Sequence, residues 1–267
     1  MPIARIPFAF ARSALFSVSP TLRLHSGPVV AAQDYRLSVD YTGPCLEQHH
    51  ATAWQAATAL AYKAQHGKPC ELRLVDMLRA MGTQSLQTHA KRRLLRVLAD
   101  LADGHVSIKT PRHAYTGPML TFQAIQGGRI AFTWPPGLLE LLEDEVVQLP
   151  LDGRAALGRY PLALWLHDYI GTHRQVYEIE LETLRNLCGS GLKRPQFKER
   201  LGLALDQVKA SANFFTGYNL DGRTLTIHKK ATRVVLLDRV VRGSKSAHTR
   251  QQDAAQRAAA SRARVVL

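Results

Sequence analysis

The sequence predicts an α+β fold of two tandem winged-helix domains, each a helix-turn-helix followed by a β-wing, and a basic C-terminal tail. From residue 182 to 230 the order is a short apolar helix, a glycine stop, a basic amphipathic helix and alternating strands. That order is typical of a winged helix-turn-helix. A similar order of elements precedes it between residues 71 and 134. We therefore divide the chain into an N-terminal arm (1–20), a first domain (21–150), a second domain (151–237) and a tail predicted to be disordered (238–267).

The composition is strongly basic. Of 267 residues, 35 are Lys or Arg and 21 are Asp or Glu, which gives a formal net charge of +14. The electrostatic field of such a charge favours binding to phosphate backbones or to anionic membrane surfaces. No apolar run approaches the roughly 20 residues of a membrane helix, so we expect no membrane-spanning segment. Cys45, Cys70 and Cys188 are unclustered and odd in number, which indicates a reducing cytoplasm.

Residues 1–20 are interpreted as a basic arm. The first 33 residues contain no acid, and Arg5, Arg12 and Arg23 lie among apolar and Ser residues. A transit peptide has a similar composition. We favour an arm that lies along DNA, because the basic bias continues through the whole chain.

The first domain shows the helix-turn-helix pattern between two sets of strands. A helix from about Glu47 to Gln65 follows strand-like runs and a predicted Thr-Gly-Pro turn at 42–44. A short helix over Glu71–Met81 ends at Gly82, and a longer amphipathic helix covers Ser85–Ala102. Strands are predicted at 106–109, 120–125 and 129–134, with Gly127-Gly128 as a hairpin signal.

The second domain begins after the turn Pro150–Gly153. Gly189 suits the left-handed residue that ends a helix, because it has no Cβ to clash. Pro195 suits a first helical turn, where its missing N–H would have no partner. The next apolar residues share one helical face, and they are Phe197, Leu201, Ala204, Leu205 and Val208.

The two domains align at an offset of 107 residues. That offset sets Gly82 against Gly189, and Leu74 and Met77 against Leu181 and Leu184. Few positions match, so the repeated order of elements carries more weight than residue identity.

The exposed faces of the two longer helices and the wing supply the candidate DNA contacts. Arg and Lys suit guanine edges or phosphates, and Gln suits adenine. The candidates in the second domain are Lys193, Arg194, Gln196, Lys198, Arg200, Gln207, Arg223, Lys229 and Lys230. Those in the first domain are Thr88, Lys91, Arg92 and Arg96. For the basic helix of the second domain, the alternative is an ordinary surface helix with a solvated basic flank.

No catalytic pattern is present in the sequence. It contains no phosphate-binding loop of the Gly-x-x-x-x-Gly-Lys-Ser/Thr type and no His-Glu-x-x-His or paired-Cys pattern. His49 and His50 are adjacent, and the remaining histidines are scattered. We therefore expect no enzymatic activity, no cofactor and no metal site.

Four short segments resemble plasmid replication initiators of the TrfA type. They are Arg12-Ser-Ala-Leu-Phe16, Tyr41-Thr-Gly43, the helix that contains Trp54, and Leu187-Cys-Gly-Ser190, and their order and spacing agree with that family from about residue 9 to residue 230. The resemblance implies two winged-helix domains that bind repeated origin sequences (iterons) on double-stranded DNA and open the duplex. It also implies recruitment of the host initiator and the replicative helicase, and conversion between dimers and active monomers in the bacterial cytoplasm.

Two other functions fit the sequence. A winged-helix transcriptional repressor would share the same DNA-binding residues without acting in replication. A basic structural or membrane-surface protein would share the charge and show no preference for any DNA sequence.

Overall fold

The protein has mixed α and β structure. The structure is a computed structural model, and it describes residues 2–19, 23–32, 36–61, 68–173, 177–212 and 215–229. Lys230 and the predicted tail at 238–267 lie outside the described residues.

The first half of the chain combines small β-sheets with five helices among the described residues. Its elements are β1 (Ile3–Pro7), α1 (Phe8–Ala11), β2 (Phe16–Ser17), β3 (Leu24–Val29), β4 (Ser38–Pro44), β5 (Leu46–Glu47), α2 (Gln48–Ala61), β6 (Cys70–Arg73), α3 (Leu74–Ala80), α4 (Thr88–Asp103), β7 (His105–Lys109), β8 (Ala114–Pro118), β9 (Thr121–Ile125), β10 (Arg129–Thr133), α5 (Pro136–Glu143) and β11 (Val146–Pro150).

The second half is shorter. Its elements are α6 (Leu151–Ala156), α7 (Pro161–Gly171), β12 (Tyr177–Glu180), α8 (Leu181–Leu187), α9 (Arg194–Ala212), β13 (Phe215–Leu220) and β14 (Thr224–Lys229). The strands form one antiparallel sheet in the order β12-β14-β13.

One order of elements occurs in both halves. In the first, α2, β6, α3 and α4 lead to the hairpin β9–β10, and the sheet order is β6-β10-β9. In the second, α7, β12, α8 and α9 lead to β13–β14 in the matching sheet order. The helices α3 and α8 each have seven residues. Gly82 and Gly189 follow them with φ of +71° and +65°, the left-handed conformation that glycine adopts without strain.

The first half carries an additional four-stranded sheet in the order β3-β4-β7-β8. Its strands β4 and β8 both end in Tyr-Thr-Gly-Pro, and each tyrosine hydroxyl donates to the proline carbonyl of its own segment. The predicted turn at 42–44 is therefore wrong. Thr42 to Pro44 continue β4 and pair with β3. The Tyr41 ring packs over Gly43 and Gly104, where an added Cβ would collide with it.

The predicted N-terminal arm is also wrong, since residues 2–19 are built into the fold. The strand β1 pairs with β11 along its whole length, and Ile6 and Phe10 are each 2% exposed. Arg12 is buried, and its guanidinium donates to the Thr172 carbonyl at 2.7 Å. The apolar side chains of this segment gain more from burial than they would from lying along a solvated surface.

Two buried clusters form the core. The first extends along the sequence from Ala4 to Leu151 and contains Trp54. The second extends from Leu157 to Ile227, with Ala32 added from the N-terminal part, and contains Trp165. We call the part of the chain that packs around the first cluster the first module, and the part that packs around the second cluster the second module.

A buried polar network joins the modules. Arg154 on α6 donates to Gln48 on α2 through both the backbone carbonyl and Oε1, at 3.1 and 2.9 Å. The same guanidinium forms an ion pair with Asp168 on α7 at 2.6 Å. Gln55 of α2 donates to the same carboxylate oxygen. Burial alone raises the pKa of Asp168, but the Arg154 charge and the hydrogen bonds outweigh burial and hold that pKa below its ordinary value.

Candidate nucleic-acid interface

The helix α9 separates an apolar face from a polar one. Phe197, Leu201, Leu205 and Val208 are fully buried, and they lie at helical spacing against the second cluster. The helix therefore presents its opposite side to solvent.

Most predicted contacts of the second module lie on accessible surface around α9. The exposed side chains are Lys193, Arg194, Gln196, Arg200 and Arg223, while Lys198 and Gln207 are partly buried. The structure places these side chains at the start of α9, along that helix and at the turn between β13 and β14. Their contact with DNA stays a prediction.

Arg194 connects the start of α9 to the β13–β14 turn. Its Nη2 donates to the Gly222 carbonyl at 2.8 Å, so the guanidinium is held between the helix and the hairpin. At that turn Asp221 accepts hydrogen bonds from the backbone N–H groups of Thr224 and Arg223, which lower its pKa to about 2. The turn is thus stiffened by its own side chain, and the exposed Arg223 directly follows the glycine that Arg194 contacts.

Lys229 does not occupy the position expected of a phosphate contact. Its Nζ donates to the Ile170 carbonyl at 3.0 Å, and burial lowers its pKa to about 8. The prediction is corrected because the side chain packs against the end of α7 rather than projecting from the hairpin. The neighbouring candidate, Lys230, falls among the residues that the structure leaves undescribed.

The helix α4 presents the predicted contacts of the first module. Its buried residues Ala90, Leu94, Val97, Leu98 and Leu101 face the first cluster. Thr88, Arg92 and Arg96 are exposed, and Lys91 is partly buried. Two further exposed basic residues on the same helix were not among the predicted contacts, and they are His89 and Arg93. The period of the helix places them beside Arg92 and Arg96.

The turns before α4 and α9 are closed by different neighbours. A Cβ added to Gly82 would lie 2.6 Å from the Cβ of Ala155, on α6. A Cβ added to Gly189 would lie 2.5 Å from Ser17 Oγ, which donates to the Gly189 carbonyl. Both turns are therefore packed against parts of the chain that lie outside their own helix-turn-helix.

Within the described residues, no group of three or more His, Cys, Asp or Glu side chains is arranged to hold a metal ion. None of the helices that the structure describes combines the length and the apolar character needed to cross a bilayer.

No protein-family model and no curated protein matches the chain. Among solved structures, a crystal structure of domains 2 and 3 of RctB, in a selenomethionine derivative, aligns with a TM-score of 0.58 at 11% identity and covers 85% of this chain and 99% of that one. A second crystal structure of RctB domains 2–3 aligns with a TM-score of 0.53 at 13% identity, over 84% of this chain and 97% of that one. This chain shares the mixed α/β fold of those two domains.

Proposed function

We propose that this chain is a sequence-specific double-stranded DNA-binding protein in which both modules are winged-helix domains. The observation that carries the proposal is the element order found twice, with a helix after each glycine turn that exposes a basic or polar face. In a winged helix-turn-helix that helix enters the major groove and the hairpin contacts the backbone. The formal charge of +14 fits a ligand whose affinity comes largely from phosphates.

We further propose that the DNA is a plasmid origin with repeated sequences, and that the chain initiates replication there without catalysis of its own. The resemblance to TrfA-type initiators supports this role, and the fold shared with RctB domains 2–3 agrees with it. In this role the chain would open the origin, recruit the host initiator and helicase, and convert between dimer and monomer. It would act in the bacterial cytoplasm, on plasmid DNA or the nucleoid.

Selection of duplexes from a random pool by the full chain tests DNA recognition. We expect one enriched motif, with affinity that falls by about three to five decades between about 50 and 200 mM salt if about 6 to 10 phosphates are engaged. A pool in which no motif is enriched would refute sequence-specific recognition. Competition by anionic lipid vesicles that is as effective as competition by duplex DNA would refute it as well.

Transformation tests the replication role separately. A circular DNA that carries only the gene and its flanking region should establish itself in the native host. Repeated failure, together with an enriched motif that is an inverted repeat at a promoter, would favour a repressor over an initiator.

A further inference from the structure

The middle of the exposed face of α9 is neither basic nor fully polar. Leu203 is 56% exposed, and Glu199, one helical turn earlier, is exposed as well. Both lie on the side of the helix opposite Leu201 and Leu205. A single exposed leucine is common on protein surfaces and indicates nothing alone. Leu203 requires an explanation because it lies on the face of α9 that would contact DNA under the proposed function.

The first module provides an internal comparison. The buried residues Ala90 and Leu94 of α4 correspond to Phe197 and Leu201 of α9 at the same offset of 107 that relates the two glycine turns. In that register Arg96 corresponds to Leu203, and Arg92 corresponds to Glu199. Two helices with the same frame therefore differ in chemistry at two exposed positions on the side opposite the core.

Phosphate cannot be the ligand of these two positions in α9. A carboxylate repels it and an aliphatic side chain offers it no donor. The cationic side chains Lys198 and Arg200 flank the centre of α9, and Lys193 and Arg194 precede it. A helix in the major groove meets phosphates at the groove walls and base edges at its centre. The apolar group presented at the base edges of the major groove is the C5 methyl of thymine.

We propose that Leu203 recognises the C5 methyl group of a thymine in the major groove. The proposal rests on the proposed function, since it names the base feature that α9 recognises. Glu199, which can accept a hydrogen bond from cytosine N4, lies beside it and makes the same surface unfavourable for a phosphate.

The test uses the duplex that the full chain enriches from a random pool. Each thymine of that duplex is replaced in turn by deoxyuridine, which removes only the methyl group. Fluorescence anisotropy at fixed salt then measures the affinity of the wild type and of Leu203→Ala. Alanine is the best helix former, so the helix is expected to persist, and circular dichroism checks that it does.

For the wild type we expect one thymine whose replacement weakens binding about fourfold, from about 0.8 kcal/mol per buried methyl-sized group. In Leu203→Ala the thymine and deoxyuridine duplexes should bind equally at that position. Leu24→Ala is the matched control, because Leu24 is 70% exposed and belongs to β3, which pairs with β4 in the first module. This variant should keep the wild-type discrimination.

Three outcomes would overturn the inference while leaving DNA recognition intact. They are an enriched motif without thymine, no loss with deoxyuridine at any position, and an equal loss in the wild type and Leu203→Ala. A pool that does not enrich any motif overturns the proposed function itself, and the inference with it.

Discussion

Removing the charge of Asp168 is expected to destabilise the fold by about 3–5 kcal/mol, the range seen when one partner of a buried ion pair is removed. The Arg154 and Asp168 side chains are 1% and 7% exposed, with Nη1 and Oδ2 2.6 Å apart. In Asp168→Asn the new amide side chain has nearly the shape of the carboxylate that it replaces, so no cavity adds to the loss. The substitution leaves the Arg154 guanidinium buried without a counter-charge. It also weakens the acceptor that Gln55 contacts at 2.6 Å.

Urea unfolding followed by tryptophan fluorescence measures this loss, since Trp54 and Trp165 lie in different buried clusters. The matched control is Asp76→Asn, which removes an aspartate that accepts two hydrogen bonds from Arg73 at 2.7 and 2.9 Å on exposed surface. Water and salt screen that exposed pair, so its unfolding midpoint should stay near that of the wild type. A shift in Asp168→Asn no larger than in the control would refute the argument that burial sets the cost.

Three further predictions follow from the turns, the buried histidines and the hairpin. Gly158→Ala should lower the free energy of unfolding by about 1–2 kcal/mol through the left-handed backbone alone, because the φ of Gly158 is +62° and nothing lies within 4 Å of the new Cβ. Gly189→Ala should lower the free energy of unfolding by more than Gly158→Ala in the same urea experiment, because Ser17 must also move. Equal losses in the two variants would contradict the contact with Ser17. Burial, assisted by the Arg12 charge, lowers the pKa of His173 to about 3, and burial, assisted by His49, lowers that of His50 to about 4. An unfolded histidine titrates near 6.5, so the unfolded state binds more protons below that pH. The free energy of unfolding should therefore fall as pH drops from about 6.5 toward 4, with a weaker fall in His173→Asn. Lys229→Ala should leave the salt dependence of DNA binding unchanged, whereas Arg223→Ala should reduce its slope by about 0.9 if Arg223 contacts one phosphate.

The sequence was most informative where a local pattern determines the structure. The apolar spacing from Phe197 to Val208 predicted the buried face of α9, because a helix of period 3.6 places those residues on one side. Gly189 was expected to end a helix in the left-handed conformation, and it has φ of +65°. Both features depend on residues within a few positions of one another.

Long-range contacts explain what the sequence did not predict. The strand β1 pairs with β11. Arg12 donates a hydrogen bond to the side chain of Thr172, which lies 160 residues later in the chain. No local pattern distinguishes a buried arginine with such a partner from a solvated one in a basic arm. The same holds for Lys229, whose acceptor on Ile170 lies 59 residues earlier in the chain.

The contacts at the two glycine turns bear on how the modules would meet DNA together. Ser17 lies in β2, which pairs with β5 of the first module, yet it closes the turn before α9 in the second. Ala155 lies on α6, the helix that leads into the second module, and it closes the turn before α4 in the first. Each turn thus packs against the other part of the chain, and the buried Arg154–Asp168 pair is a further contact that joins the modules. Helices held in this way cannot adjust their separation freely, so the two modules would require their contacts at one fixed spacing along the duplex. One inserted base pair between those contacts would turn one of them by about 34°, from about 10.5 base pairs per turn, a rotation that the packing at the two glycine turns opposes.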